Sequence, residues 1–407
     1  MQKFGKTMLA LVAFAMVALF SLALFLGVAA AAPDYNSSGG TADLALENFK
    51  FVKNIMIWFM LMLVAFLMLF IKKFEWGVAL AVLLSAAGSF IVYLALQDFV
   101  FDNYVWDQDV MLMGVICAIT VVIAIGCFLG TVKMWQYLLV GILFAPVFCL
   151  VELFMAGEVV DSIVAADPGG SILVHMCAAY FGLGVAVGIR EKRAFNEPMY
   201  TTTHSVSFVW LASMLLWVLW PSFVTALLPM EQVFWGMMTC YLAGMGSILS
   251  AWVVCMLAQK KVNPLIYTYA MLAGPVAIGA PLILVGPWAA IVVGLIAGAV
   301  SALSFIYLHP RLCKALGTVD VMGVHNLHGV GGWIGMIASV VAMGILDASL
   351  YGDAITSNIV SAVFVAVVTL VLGIVIGVVL KLTRGKMSDE DLFSDDVDFI
   401  KTEEPAS

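Results

Sequence analysis

Residues 354–380 read AITSNIVSAVFVAVVTLVLGIVIGVVL, a stretch without Asp, Glu, Lys or Arg that ends at Lys381. At 1.5 Å of rise per residue, such a run outreaches the roughly 30 Å apolar thickness of a bilayer. It therefore reads as a membrane-crossing helix. Working outward, comparable stretches recur at 53–71, 76–96, 110–130, 135–156, 170–189, 205–225, 233–258, 265–285, 288–308 and 320–346, separated by short polar breaks. With about 20 apolar residues sufficient for each crossing, the pattern predicts about eleven spans. Composition agrees. Of 407 residues, 64% are hydrophobic and 11% charged, with a mean hydropathy of +1.11, against about 45–50% and about 25% in soluble domains. These figures disfavour cytosolic catalysis and nucleic-acid binding. The expected class is an all-α polytopic membrane protein, not an enzyme, surrounded by membrane lipids.

The first 32 residues carry Lys3 and Lys6, an apolar run from Met8 to Val28, and small residues through Ala32. That is the form of a signal peptide cleaved near Ala30 to Ala32; the length of the run leaves a retained anchor helix as the alternative. Residues 33–386 would then form the membrane domain and 387–407 an acidic tail, where most of the net charge of −8 resides. Lys72, Lys73, Lys133, Arg190, Lys192, Arg193, Lys260, Lys261, Arg311, Lys314, Lys381, Arg384 and Lys386 fall in alternate loops or after the last span. The positive-inside rule then places the mature N-terminus outside and the tail in the cytoplasm of a plasma (inner) membrane. Asp98, Asp102, Asp107, Asp109, Glu158 and Asp161 crowd the opposite loops. They read either as a funnel for cations or as the plain result of excluding Lys and Arg. The seven cysteines, such as Cys117 and Cys127, lie in apolar runs without metal-type spacing and read as small buried hydrophobes, so no metal or cofactor is expected.

Ionisable groups at bilayer depth cost about 2.5 kcal/mol or more and are candidates for function. Glu152 reads as a buried acceptor, and His204 and His309 as interfacial residues. His175 follows Asp167-Pro168-Gly169-Gly170, and His325 follows Asp320-Val321-Met322-Gly323-Val324. Each element begins at an Asp, passes a Gly and reaches a His, in spans five and ten. Five helices plus five is the count of an inverted repeat, which places functional groups at the midplane. The expected pair is His175 and His325. His328 reads either as an ordinary helix-to-helix hydrogen bond or as support for that pair. Gly182, Gly184 and Gly188, with Gly329, Gly331, Gly332 and Gly335, would let these spans approach closely.

Several blocks together resemble the ammonium transporter and Rhesus (Amt/Mep/Rh) superfamily, its Rh branch in particular. They are Gly169-Gly170-Ser171 followed by His175, Ala179-Tyr180-Phe181-Gly182-Leu183, Trp220-Pro221-Ser222-Phe223, Leu272-Ala273-Gly274, and Gly323-Val324-His325-Asn326-Leu327-His328-Gly329. They run in family order from span five to span ten. The resemblance implies eleven helices and a homotrimer whose subunits each hold a pore lined by twin histidines, by position His175 and His325. It also implies a structural role for Asp167, with Asp320 and His328 in support. Phe223 matches the inner member of a two-Phe gate, whose partner position, aligned through Gly126-Cys127-Phe128-Leu129-Gly130, falls on Ile116. Two departures stand out: Pro275 follows Leu272-Ala273-Gly274 where Rh proteins carry another Gly, and Tyr269 replaces their usual Asn. The outer Trp and Ser of the Amt branch have no counterpart.

The activity so implied is passage of ammonia, released from ammonium at the outer vestibule, through a dry pore; carbon dioxide is a second neutral candidate. A sensor or scaffold for ammonium is the alternative, with Asp389 to Asp398 binding a cytoplasmic partner, although a solvated tail is the plainer reading. Haem held by His175 with His325 or His328 is the third reading and the weakest, because no second His pair accompanies them.

Overall fold

The computed structural model describes residues 41–103, 105–195, 201–347 and 349–400. The expected signal segment 1–32 and the end of the tail lie outside them. Among the described residues there is no strand, and ten helices are long and apolar enough to cross a membrane. In order they are α1 (Ala45–Leu67), α2 (Trp76–Phe99), α3 (Gln108–Ile125), α4 (Met134–Met155), α5 (Ser171–Ile189), α6 (Thr203–Val224), α7 (Met230–Gln259), α9 (Pro287–Leu316), α10 (His325–Asp347) and α11 (Gly352–Arg384). Between α7 and α9 comes α8, in two short pieces, Pro264–Ala270 and Ala273–Ala277. From Leu46 onward the chain forms one unit.

The eighth apolar stretch is thus broken rather than continuous, and proline chemistry explains why. Pro275 has no N–H to give to the carbonyl of Met271, and a proline inside a helix frees that acceptor. Ser247 on α7 donates to it instead, at 2.6 Å. Beyond the break, Ser171 Oγ donates to the Val276 carbonyl at 2.7 Å and accepts from the Ala280 amide at 2.9 Å. Irregular backbone at membrane depth survives when protein groups satisfy it in this way. The stretch still runs the depth of the bundle, antiparallel to α7. Tyr267 Oη donates to the Ile248 carbonyl at one end, Thr239 Oγ1 to Leu282, and Trp235 Nε1 to Val285 at the other.

Packing repeats between the halves. Helix α2 lies along α4, α7 along α9, and α5 along α11. The α5–α11 contact is set by glycine: a Cβ on Gly184 would strike the Leu370 carbonyl, and one on Gly373 the Phe181 carbonyl. Small residues four apart on both helices let the backbones touch.

Loops carrying Lys72, Lys73 and Arg190 define a basic face; those carrying Asp98, Asp102 and Asp167 define an acidic one. On the basic face the expected solvated tail is instead packed as far as Phe399. Met387, Leu392 and Phe393 are buried, the Phe393 amide bonds the Gly130 carbonyl at 3.0 Å, and Phe399 meets Trp76 edge-on. Asp395 accepts from the amides of Glu75, Trp76 and Gly77 at 2.9, 3.0 and 2.7 Å. Those amides open α2, where a carboxylate is favoured. At the base of the tail, Glu191 accepts from Arg193 and Arg384, and Arg193 also bonds Asp389. The Arg193 hydrogen bond, first, then holds the Glu191 carboxyl down to about 2 against the burial that opposes it.

Candidate functional site

Two Asp residues start the helices that carry the site. Asp167 Oδ2 accepts from the amides of Ile172 and Leu173 at 2.8 and 2.9 Å. Asp320 accepts from Val324 and His325, both at 2.9 Å. Each caps first-turn amides that have no partner within the helix. Three residues after each Asp the chain takes a left-handed turn at glycine, Gly170 with φ +77° and Gly323 with φ +67°, a conformation costly for any residue with a Cβ. Each helix then opens with a π-turn, Ser171–Met176 and His325–Gly329. Helix α5 enters from the acidic face and α10 from the basic one.

An inverted twofold relates these elements at a constant offset of 153 residues, the separation of His175 and His328. Asp167 and Asp320 keep it, as do Gly170 and Gly323. The backbone repeats it: the Gly169 amide bonds the Gly279 carbonyl at 2.9 Å, and the Met322 amide bonds the Gly126 carbonyl at 3.0 Å. Tyr180 and Trp333 are another such pair, joined by a hydrogen bond of 2.6 Å.

The partner of His175 is His328, not His325. His175 Nδ1 lies 3.0 Å from His328 Nδ1, with ring centroids 5.0 Å apart and exposures of 1% and 8%. The expected His175–His325 pair does not form, because His325 lies one turn before the position that corresponds to His175. Its amide is spent on Asp320, its ring stands edge-on to Tyr180 at 5.8 Å, and its buried Nδ1 has no partner. The offset from the Asp was the signal that sequence reasoning missed: His175 and His328 each stand eight residues after their Asp, His325 only five.

His175 and His328 project into a narrow cavity whose other walls are apolar, among them Val64, Ile119, Leu216 and Leu272. About 40 Å³ of it is open to the centre of a water-sized sphere. With about 10–15 Å³ needed per water, it holds a short file of small molecules. On the acidic side Trp220 and Phe223 face His175 at 5.7 and 5.9 Å between ring centroids. Phe223 also lines a second, smaller pocket with Ile116 and Asp167, so its ring is the wall between the two. Asp167 Oδ1, the oxygen not used in capping, is buried there without a partner. Residues that sequence reasoning did not single out also appear. Leu216 lines the cavity, and Lys53, buried in α1, donates to Thr225 Oγ1 at 2.7 Å near the acidic-face end of α6.

The other candidates lie elsewhere. Glu152 accepts from Tyr93 Oη at 3.0 and 3.1 Å. His309 bonds Asn326 Nδ2 at 2.9 Å, and His204 is exposed against Phe208. Among the described residues no three His, Cys, Asp or Glu cluster to hold a metal. The direct bond between the Nδ1 atoms also leaves no room for an iron between them.

The sequence profile described as Ammonium Transporter Family matches residues 38–403. Rhesus-like glycoprotein B of Dictyostelium discoideum is 32% identical over 61% of this chain; the match covers 42% of that protein, so the chain spans less than half of its length. Ammonium transporter Rh type A of Bos taurus is 31% identical, the match covering 70% of this chain and 68% of that protein. A solved structure of Rh50 from Nitrosomonas europaea superposes with a TM-score of 0.81 at 30% identity, covering 89% of this chain and 94% of that one.

Proposed function

The chain belongs to the ammonium transporter family, among the Rh-type members, and on that premise we propose that it conducts ammonia through the cavity lined by His175 and His328. One observation carries the reading: two buried histidines bonded Nδ1 to Nδ1 at 3.0 Å inside an otherwise apolar cavity. Such a bond contains a single hydrogen, so one ring donates and the other accepts. The donor ring then keeps a lone pair on Nε2, and the acceptor ring keeps a hydrogen there. Ammonia, which both donates and accepts, matches that pair. His175 Nε2, buried without a partner, is free to make the contact.

An ion meets a different surface, since the mostly apolar and aromatic walls replace little of its hydration and a bare charge at membrane depth is costly. Ammonium therefore gives its proton back to the water of the acidic face and crosses as ammonia when the Phe223 ring swings aside. In this reading the acidic face is external and the basic face, with the docked tail, cytoplasmic. Residues 1–32 are a removed signal peptide, 33–386 the channel and 387–407 the tail, and three copies assemble with one pore each. The same dry lining suits carbon dioxide.

Reconstituted protein tests the proposal. Liposomes given an inward ammonium gradient should alkalinise inside faster than empty ones, without current, and His175→Ala and His328→Ala should change the rate while His325→Ala leaves it within about twofold. A current matching the flux would mean that the ion itself crosses. Permeability no higher than in empty liposomes would reject conduction of ammonia, and a carbon dioxide gradient on the same vesicles would then distinguish that gas from a sensing role through the tail.

A further inference from the structure

The twofold that exchanges His175 and His328 also acts on the gate. Carried through the same offset of 153 residues, Phe223 corresponds to Phe70 and Ile116 to Tyr269. The two counterparts meet, with ring centroids 5.9 Å apart and exposures of 2% and 4%, Phe70 packing against Tyr269. Tyr269 lines the cavity with Leu67, Met68 and Met322, on the basic side of the histidine pair. Phe305 stacks on it at 5.9 Å with ring planes 12° apart.

The repeat does not carry the gate over unchanged. Ile116 is apolar, whereas Tyr269 Oη donates to the Leu67 carbonyl at 3.1 Å, at the last residue of α1, and lies 3.5 Å from Met322 Sδ. Its ring stands among the side chains that line this end of the cavity. We infer that Tyr269 and Phe70 form a second gate on the basic side, and that the Tyr269–Leu67 hydrogen bond latches it closed. The inference rests on the cavity being the conduction path. Ammonia arriving from the histidine pair waits on rotation of Tyr269, and each opening breaks the latch.

The test removes the latch without removing the ring. A typical hydrogen bond contributes about 1 kcal/mol net, equivalent to about fivefold in an opening equilibrium. Tyr269→Phe should raise ammonia permeability of proteoliposomes about fivefold in a Phe223→Ala background, where the first gate no longer limits, and Tyr269→Ala at least as much. A second readout does not depend on transport. Val64→Cys places a thiol in the cavity, and its reaction with methyl methanethiosulfonate applied from the basic face should quicken about fivefold on adding Tyr269→Phe. Unchanged permeability in the Phe223→Ala background together with unchanged labelling overturns the gate. Faster labelling in a protein that passes no ammonia leaves the gate standing and removes the conduction reading.

Discussion

The pairing of His175 with His328 is decided by a double-mutant cycle on stability. Truncating either imidazole to Ala strands the Nδ1 of the other in a cavity whose remaining walls are apolar, and a buried polar group without a partner costs about 1–3 kcal/mol. Truncating both strands neither. The double mutant should therefore lose less than the sum of the single mutants, with a coupling of about 1–3 kcal/mol. His325 supplies the control: its Nδ1 already lacks a partner and its ring faces Tyr180, so His175→Ala and His325→Ala should add within about 0.5 kcal/mol. Equilibrium unfolding in mixed micelles, followed by circular dichroism against detergent composition, measures each corner of both cycles. A coupling below about 0.5 kcal/mol for His175 and His328, or one above 1 kcal/mol for His175 and His325, refutes the pairing and the donor–acceptor argument built on it.

Other consequences are open to measurement. Ser171→Ala removes the hydroxyl that serves both Val276 and Ala280 in the broken helix, and should cost about 1–3 kcal/mol in the same unfolding assay; a loss under 0.5 kcal/mol would mean that the break satisfies itself. Gly373→Leu forces a side chain against the Phe181 carbonyl and should destabilise by about 1–3 kcal/mol or more, seen as loss of the monodisperse species on size exclusion. Glu191 has a folded-state carboxyl held at about 2 against an ordinary 4.5. Its contribution to tail docking is complete above 4.5 and lost as the pH falls toward 2. Pepsin cleavage at Leu392–Phe393, normalised to an unfolded peptide, should accelerate across that window; a flat profile would exclude Glu191 as the anchor.

Span positions were readable because a bilayer imposes length and apolarity on each helix separately, and the charge-free run 354–380 declared itself without reference to any neighbour. The break in α8 was harder, since hydropathy does not register a missing N–H. Pro275 was visible, but the hydroxyls of Ser247 and Ser171 that make the break tolerable come from α7 and α5. His325 drew the pairing because it is the first histidine reached after Asp320 and Gly323, yet imidazole position depends on register, and a π-turn changes register by a residue. The spacing from Asp167 and Asp320 holds that information, and a comparison of the two halves residue by residue would have found it. The tail was read as solvated because its charge run overshadows Leu392 and Phe393; that Asp395 caps α2 depends on a contact 318 to 320 residues away in sequence. Lys53 escaped notice at the start of a span, with its partner Thr225 just past the end of α6.

The inverted repeat bears on the direction of flow. A path whose two halves are exchanged by a twofold presents nearly the same sequence of obstacles to a molecule from either side: ring, imidazole, imidazole, ring. The inner end differs in the hydroxyl of Tyr269 on the Leu67 carbonyl, which in the proposed gate raises a barrier to travel in either direction. By microscopic reversibility such a barrier slows influx and efflux alike, so the protein contributes no rectification of its own. If the chain conducts as proposed, net movement is set by the ammonia gradient, and through it by the pH on each side of the membrane.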